Sequence, residues 1–202
     1  MTRTVRKPRG EYAKTRERRQ EILDAAVEVF SSAGFHKGSL RDVADRVGLS
    51  QAGLLHHFPS KEHLLQAVLT RRDDDALARF SQPLPVGVDL LRAMVALTEY
   101  NASTPELVEM HVVLSAEGTC ADHPIHDYFV TRYATVFEMV RTAFEEAEEQ
   151  GELKPGVDCA SAARTVIALM DGLQVQWLLH RDEVDMPGDL ARYVQSLLTV
   201  EL

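Results

Sequence analysis

Apolar residues recur at intervals of three and four along most of the chain, and no period-two alternation of useful length interrupts them. Ile22, Ala26, Val29 and Ala33 give a helix over 16–33 one apolar stripe, closed by Gly34-Phe35. Leu40, Val43, Ala44 and Val47 repeat the pattern in a much shorter segment. Ser39 stands before it as a cap, with Asp42 three positions on, the spacing of a capping box. Gly48 sits where a helix stops on a left-handed residue. Ser50 then caps a helix over 51–58, whose Leu54 and Phe58 share a buried face. Two short helices across a Gly-containing turn form a helix-turn-helix, which presents its second helix to the DNA major groove.

The remaining signals are helical too. Ser60-Lys61-Glu62 opens a helix over 60–81 with Leu64, Leu65, Val68 and Leu69 on its buried side, and Pro83 and Pro85 break the chain at 82–87. Helices over 89–103 and 104–118 follow, the second started by Thr104-Pro105. Asp122-His123-Pro124 opens a long helix to Gln150, ended by Gly151; Asp158 caps another to about His180; Pro187-Gly188-Asp189 starts the last. The expected fold is all-α, with a basic flexible arm over 1–14, a three-helix helix-turn-helix DNA-binding domain over 15–65 and a helical ligand-binding and dimerisation domain over 66–202.

The succession of long helix, Gly-aromatic, helix, Gly-Leu-Ser, recognition helix and Phe-Pro-Ser-Lys-Glu resembles the amino-terminal domain of the tetracycline-repressor (TetR) family of bacterial transcription regulators, over roughly 15–69. Beyond it, the helical character and length fit the family. The resemblance implies a cytoplasmic homodimer that binds a pseudo-palindromic double-stranded DNA operator, a repressor released by a small, largely apolar ligand. It implies no enzyme activity and no cofactor.

Charge changes the picture when it is divided. The net charge is −9, but the chain through Leu65 holds 12 basic and 8 acidic residues, and the remainder 10 and 23. The two parts thus carry +4 and −13. Arg3, Arg6, Lys7, Arg9, Lys14, Arg16, Arg18 and Arg19 crowd the start, suiting phosphate neutralisation or, on the plainer alternative, a solvated tail. The acidic remainder repels nucleic acid and serves another purpose. No apolar run approaches a membrane span, no hydrophobic segment follows the basic start, and Cys120 and Cys159 stand alone; no leader and no disulfide are expected.

Gln51 and Ala52 open the recognition helix, where glutamine pairs with adenine and alanine meets a thymine methyl. Gly53 lies inside that helix at a cost of about 1 kcal/mol relative to alanine. It reads as close approach of backbone to the groove or as tight packing. Lys61 sits at a helix start, where its ammonium opposes the dipole unless amides and ammonium share a phosphate. The resemblance implies that Arg41 contacts bases or phosphate and that His56 and His57 face the backbone; Ser39 and Ser50, at the two helix starts, complete the expected DNA-binding set. Leu55 departs from the family, which carries a phosphate-binding tyrosine there.

The helix over 158–180 is apolar on two sides, with Cys159, Ala163, Val166, Ile167, Met170 and Trp177 on one and Ala162, Leu169, Gly172, Val175 and Leu179 on the other. It is therefore expected to be buried twice. With Leu190, Val194, Leu197 and Leu198 of the last helix it suggests a four-helix dimer interface, with Leu169, Gly172, Val175, Leu179, Val194, Leu197 and Leu198 as its contacts. Met94, Leu97, Tyr100, Asn101, Met110, His111, Leu114, Phe137, Val140, Gln174 and Trp177 are expected around a ligand cavity, and a buried His111 or Gln174 needs a partner that a ligand can supply. Asp73-Asp74-Asp75 reads as a solvated turn. Rival readings are a metal sensor using Cys120, Asp122, His123, His126 and Asp127, and a nucleoid-type DNA binder without ligand control. No metal site is expected, since this spacing matches no common zinc signature and adjacent His56 and His57 point about 100° apart on a helix. Hydrolase, Walker and dinucleotide fingerprints are missing.

Overall fold

The computed structural model describes residues 9–202, with side chains from Lys14 onward. Among these residues are nine helices: α1 (Arg9–Lys37), α2 (Leu40–Arg46), α3 (Gln51–His57), α4 (Lys61–Leu77), α5 (Gly87–Ala102), α6 (Pro105–Glu117), α7 (His126–Glu149), α8 (Cys159–Leu179) and α9 (Met186–Leu197). The fold is all-α; the only strand-like pairing among them is an isolated antiparallel bridge between Leu153 and Leu198. No described helix is long and apolar enough to cross a membrane. The arm residues Arg3, Arg6 and Lys7 lie outside the described residues, while the stretch from Arg9, also expected in the arm, is already helical.

Helix starts follow local chemistry. Ser39 Oγ accepts the Asp42 N–H at 3.1 Å and donates to the Asp42 carboxylate at 2.7 Å. Ser50 accepts from Gly53 N–H at 3.1 Å, Ser60 from His63 N–H at 3.3 Å and Asp158 from Ser161 N–H at 2.6 Å. Each pairs an amide that a helix start leaves open, worth about 1 kcal/mol. Gly48 takes φ 66°, the left-handed stop between the motif helices. Three starts differ from expectation. Thr104 makes no side-chain cap; its hydroxyl turns back to the Tyr100 carbonyl at 3.2 Å. α7 begins only at His126, and α9 is capped by Asp185, which accepts from Gly188 N–H at 3.0 Å.

Two apolar cores result. The first joins α1–α4 through Ile22, Phe30, Val43, Leu54, Phe58 and Leu65, and Met110 and Leu114 of α6 with Ile125 and Phe129 complete it. The DNA-binding domain therefore does not close on itself, and Leu114, expected at the ligand, is buried against it instead. The second core joins α5, α7, α8 and α9. Val194 and Leu198 belong there, 1% and 2% exposed, because α9 packs on α5 and α8; they do not face a partner subunit as expected.

Candidate functional site

On α3, Leu54 and Phe58 anchor the helix while Gln51, Ala52 and His56 are exposed and Gly53, Leu55 and His57 half-buried. A β-carbon on Gly53 would meet nothing closer than 3.4 Å, so packing inside the molecule does not require glycine here. Arg41 projects from α2 with its side chain 81% exposed, 3.8 Å from Asp45. Ser39 and Ser50 serve as caps. Two arginines expected in a basic footprint act within the fold. Arg18 donates to the Val47 carbonyl at 3.2 Å, and Arg19 donates to the His57 carbonyl while stacking 4.1 Å over Phe58. Burial first, then the His56 charge and these arginines, lower the pKa of His57. Lys61 lies 4.4 Å over the Phe35 ring and 3.4 Å from the His36 carbonyl, and burial lowers its pKa.

Behind this surface, Gly34 kinks α1 at φ 65° and ψ −176°. The kink exposes the Phe35 N–H, which donates to Glu117 Oε2 of α6 at 2.8 Å. His123 packs edge-on to Phe35 with ring centroids 5.1 Å apart, its Nε2 3.7 Å from the same carboxylate oxygen. α1 and α6 form the most extensive helix pair in the described fold.

A cavity of about 670 Å³ lies among α4–α8. Of the residues expected around it, Met94, Leu97, Tyr100, Asn101, His111 and Gln174 line it; Met110, Leu114, Phe137, Val140 and Trp177 do not. Met110, Leu114 and Val140 are core residues. Phe137 sits 4.8 Å beneath the Arg164 guanidinium and Trp177 5.0 Å beneath that of Arg181. Sequence reasoning missed the cavity's charged wall. Asp73, read as solvated, accepts from Tyr128 Oη and pairs with Arg132 at 2.9 Å and Arg72 at 3.4 Å. Asp171 accepts from Tyr133 Oη at 2.7 Å and lies 3.5 Å from His111 Nε2. Burial first, then Arg132, lowers Arg72 to about 10. Burial first, then Arg72, lowers His111 to about 4, so the imidazole is neutral near pH 7. A signal for these groups was present. Arg72 follows Leu65 and Leu69 on the inner stripe of α4, and Asp171 falls between Ile167 and Gln174 on α8. A charge on an apolar stripe asks for a partner.

Residues 22–68 match the family described as "Bacterial regulatory proteins, tetR family", and residues 89–199 match "BetI-type transcriptional repressor, C-terminal". The chain belongs to the TetR family of transcriptional regulators. Its resemblance to that family thus extends through the carboxy-terminal helices. The HTH-type transcriptional regulator UidR of Escherichia coli K12 is 31% identical over 159 residues, covering 77% of this chain and 79% of UidR. Salmonella enterica GusR superposes with a TM-score of 0.71 at 28% identity, over 91% of this chain and 96% of GusR. A regulator from Saccharomonospora viridis, solved in complex with choline, shares the fold with a TM-score of 0.76 at 23% identity, over 92% of this chain and all of that one.

On the TetR carboxy-terminal helices, Val175 and Leu179 of α8 are 43% and 71% exposed, next to half-buried Leu169 and Gly172. A β-carbon on Gly172 would meet nothing within 4 Å. Leu197 is half-buried at the end of α9. The residues of the rival metal reading do not converge. Cys120 is exposed, His123 faces Phe35, and His126 Nδ1 lies 2.9 Å from the Gly118 carbonyl. Among the described residues no three His, Cys, Asp or Glu side chains are placed to share a metal ion.

Proposed function

We propose that this TetR-family regulator is a repressor that binds a pseudo-palindromic operator as a homodimer and is released when a small molecule fills the α4–α8 cavity. The observation that carries this reading is the placement of α6. It lends His111 to the cavity wall, and its carboxy-terminal Glu117 holds the α1 kink that supports the DNA-binding helices. A ligand that binds one setting of α6 more tightly than the other shifts α3 relative to its copy, and only that difference in affinity moves the equilibrium. Gln51, Ala52 and the bare backbone at Gly53 would read base edges; Arg41, His56, His57 and Lys61 would contact the strand backbone. Leu169, Gly172, Val175 and Leu179 of α8, with Leu197 of α9, would form the dimer contact.

The test is selection of bound sequences from random duplex DNA, followed by anisotropy titration on the enriched site. One enriched palindrome is expected, with Gln51→Ala weakening it by about 1–3 kcal/mol and relaxing preference at one base pair per half-site. Flat enrichment would replace this reading with non-specific DNA packaging.

A further inference from the structure

The cavity's ligand is constrained by what its walls leave unmet. His111 and Gln174 are 3% and 4% exposed, on adjacent helices α6 and α8, and both line the cavity. His111 Nδ1 and Gln174 Oε1 are fully shielded and find no hydrogen-bond partner among the described residues. With Nε2 turned to Asp171 at 3.5 Å, the neutral imidazole carries its proton there and leaves Nδ1 as an acceptor. Two buried acceptors without donors are costly, and a ligand is the natural source of the missing hydrogens.

Charge narrows the class further. Inside, Arg72 and Arg132 both pair with Asp73, and the carboxylates of Asp73 and Asp171 each accept a tyrosine hydroxyl. An anionic ligand would find both guanidiniums already paired with Asp73, and would give up its hydration without a free counter-charge. The exposed carboxylates Glu62, Asp75 and Asp127 also line the cavity and oppose the entry of an anion. Met94, Met139, Ile167 and Met170 also line the cavity, a surface suited to an apolar body.

We infer that the ligand is an amphiphile without negative charge whose hydroxyl, or equivalent donor, donates to one of the two open acceptors, His111 Nδ1 or Gln174 Oε1, while its apolar body lies on the methionine side chains. This rests on the reading of the cavity as the effector site.

Four probes of one skeleton test it: 2-naphthol, 2-methoxynaphthalene, 2-naphthoate and 2-naphthylmethylammonium, each titrated calorimetrically into the full-length protein at neutral pH. The hydroxyl probe should bind roughly tenfold more tightly than its methyl ether, the ratio expected when one buried acceptor gains a donor. 2-Naphthoate should bind more weakly than 2-naphthol, and 2-naphthylmethylammonium, a donor without negative charge, more tightly than the ether. Gln174→Leu or His111→Phe, whichever removes the acceptor used, should shrink the preference for hydroxyl over ether, in proteins whose helical circular dichroism matches the parent. If His111→Phe fails to fold, the parent's ratio of hydroxyl to ether affinity decides. Equal affinity for hydroxyl and ether, a preference untouched by both substitutions, or tightest binding of 2-naphthoate would overturn the inference while leaving the cavity as effector site. Absence of binding by all four would overturn both.

Discussion

Gly34 combines φ 65° with ψ −176°, a region of backbone space essentially closed to side chains. A β-carbon there would also collide with the Glu117 carboxylate. Gly34→Ala should therefore cost about 2 kcal/mol of stability, read from the urea midpoint at unchanged slope. A change within a few tenths of a kcal/mol would show that the kink is not required. His111 gives a second single-residue expectation. Its pKa falls from the ordinary 6.5 to about 4, chiefly through burial, so the unfolded chain takes up a proton that the folded one refuses. Stability contributed by the neutral imidazole is full above about pH 6.5 and is lost as pH falls toward 4, a difference on the order of 3 kcal/mol across the window. Thermal melts between pH 7 and 5 should show a fall that His111→Phe reduces. An equal fall in both proteins would assign the acid sensitivity elsewhere.

At the level of elements, α3 is too short to hold itself as a helix and depends on its neighbours. Ser50 fixes its start, Leu54 and Phe58 bury its inner face, and Arg19 reaches from α1 to clamp its end. Arg19 therefore works as a clamp rather than as a free cation awaiting phosphate. Arg19→Ala should weaken operator binding without reducing the slope of log affinity against log salt. A slope shallower by about 0.9 would instead mark Arg19 as a phosphate contact. Leu55 lies half-buried on the same helix, and Leu55→Tyr should hold or tighten affinity by restoring the family's hydroxyl to the surface. A large loss in the same titration would mean that the helix meets DNA in another register. On α6 the two ends do different work: His111 faces the cavity and Glu117 holds α1, so a rigid shift of one short helix connects them.

For the whole molecule, the exposed edge of α8 and the division of charge point the same way. A basic amino-terminal third and an acidic body suit a protein that touches DNA at one end and its own copy at the other. Leaving Leu179 71% exposed beside Val175 wastes apolar burial worth roughly 1.5–3 kcal/mol per side chain. Leu179→Glu should shift sedimentation at micromolar concentration from dimer to monomer and lower operator affinity with it. A parent protein already monomeric under those conditions would refute the dimer.

The chain's local features were settled by the sequence alone: helix periodicity, the Ser39, Ser50 and Asp158 caps, the Gly48 stop and the reading order of α1 to α4. These depend on residues three or four apart, so a short window contains all the partners involved. Half of the expected cavity lining was also legible, since apolar stripes announce burial. Tertiary structure decided which core each stripe entered. Leu114 went to the DNA-binding half and Val194 and Leu198 to their own subunit's core, because an apolar side chain carries no address. It also decided the pairing of Asp73 with Arg132 and Tyr128, and of Asp171 with Tyr133 and His111, across separations of 38 to 60 residues. Charge neutralisation demands a partner in space, and only the packed helices could say which one was near.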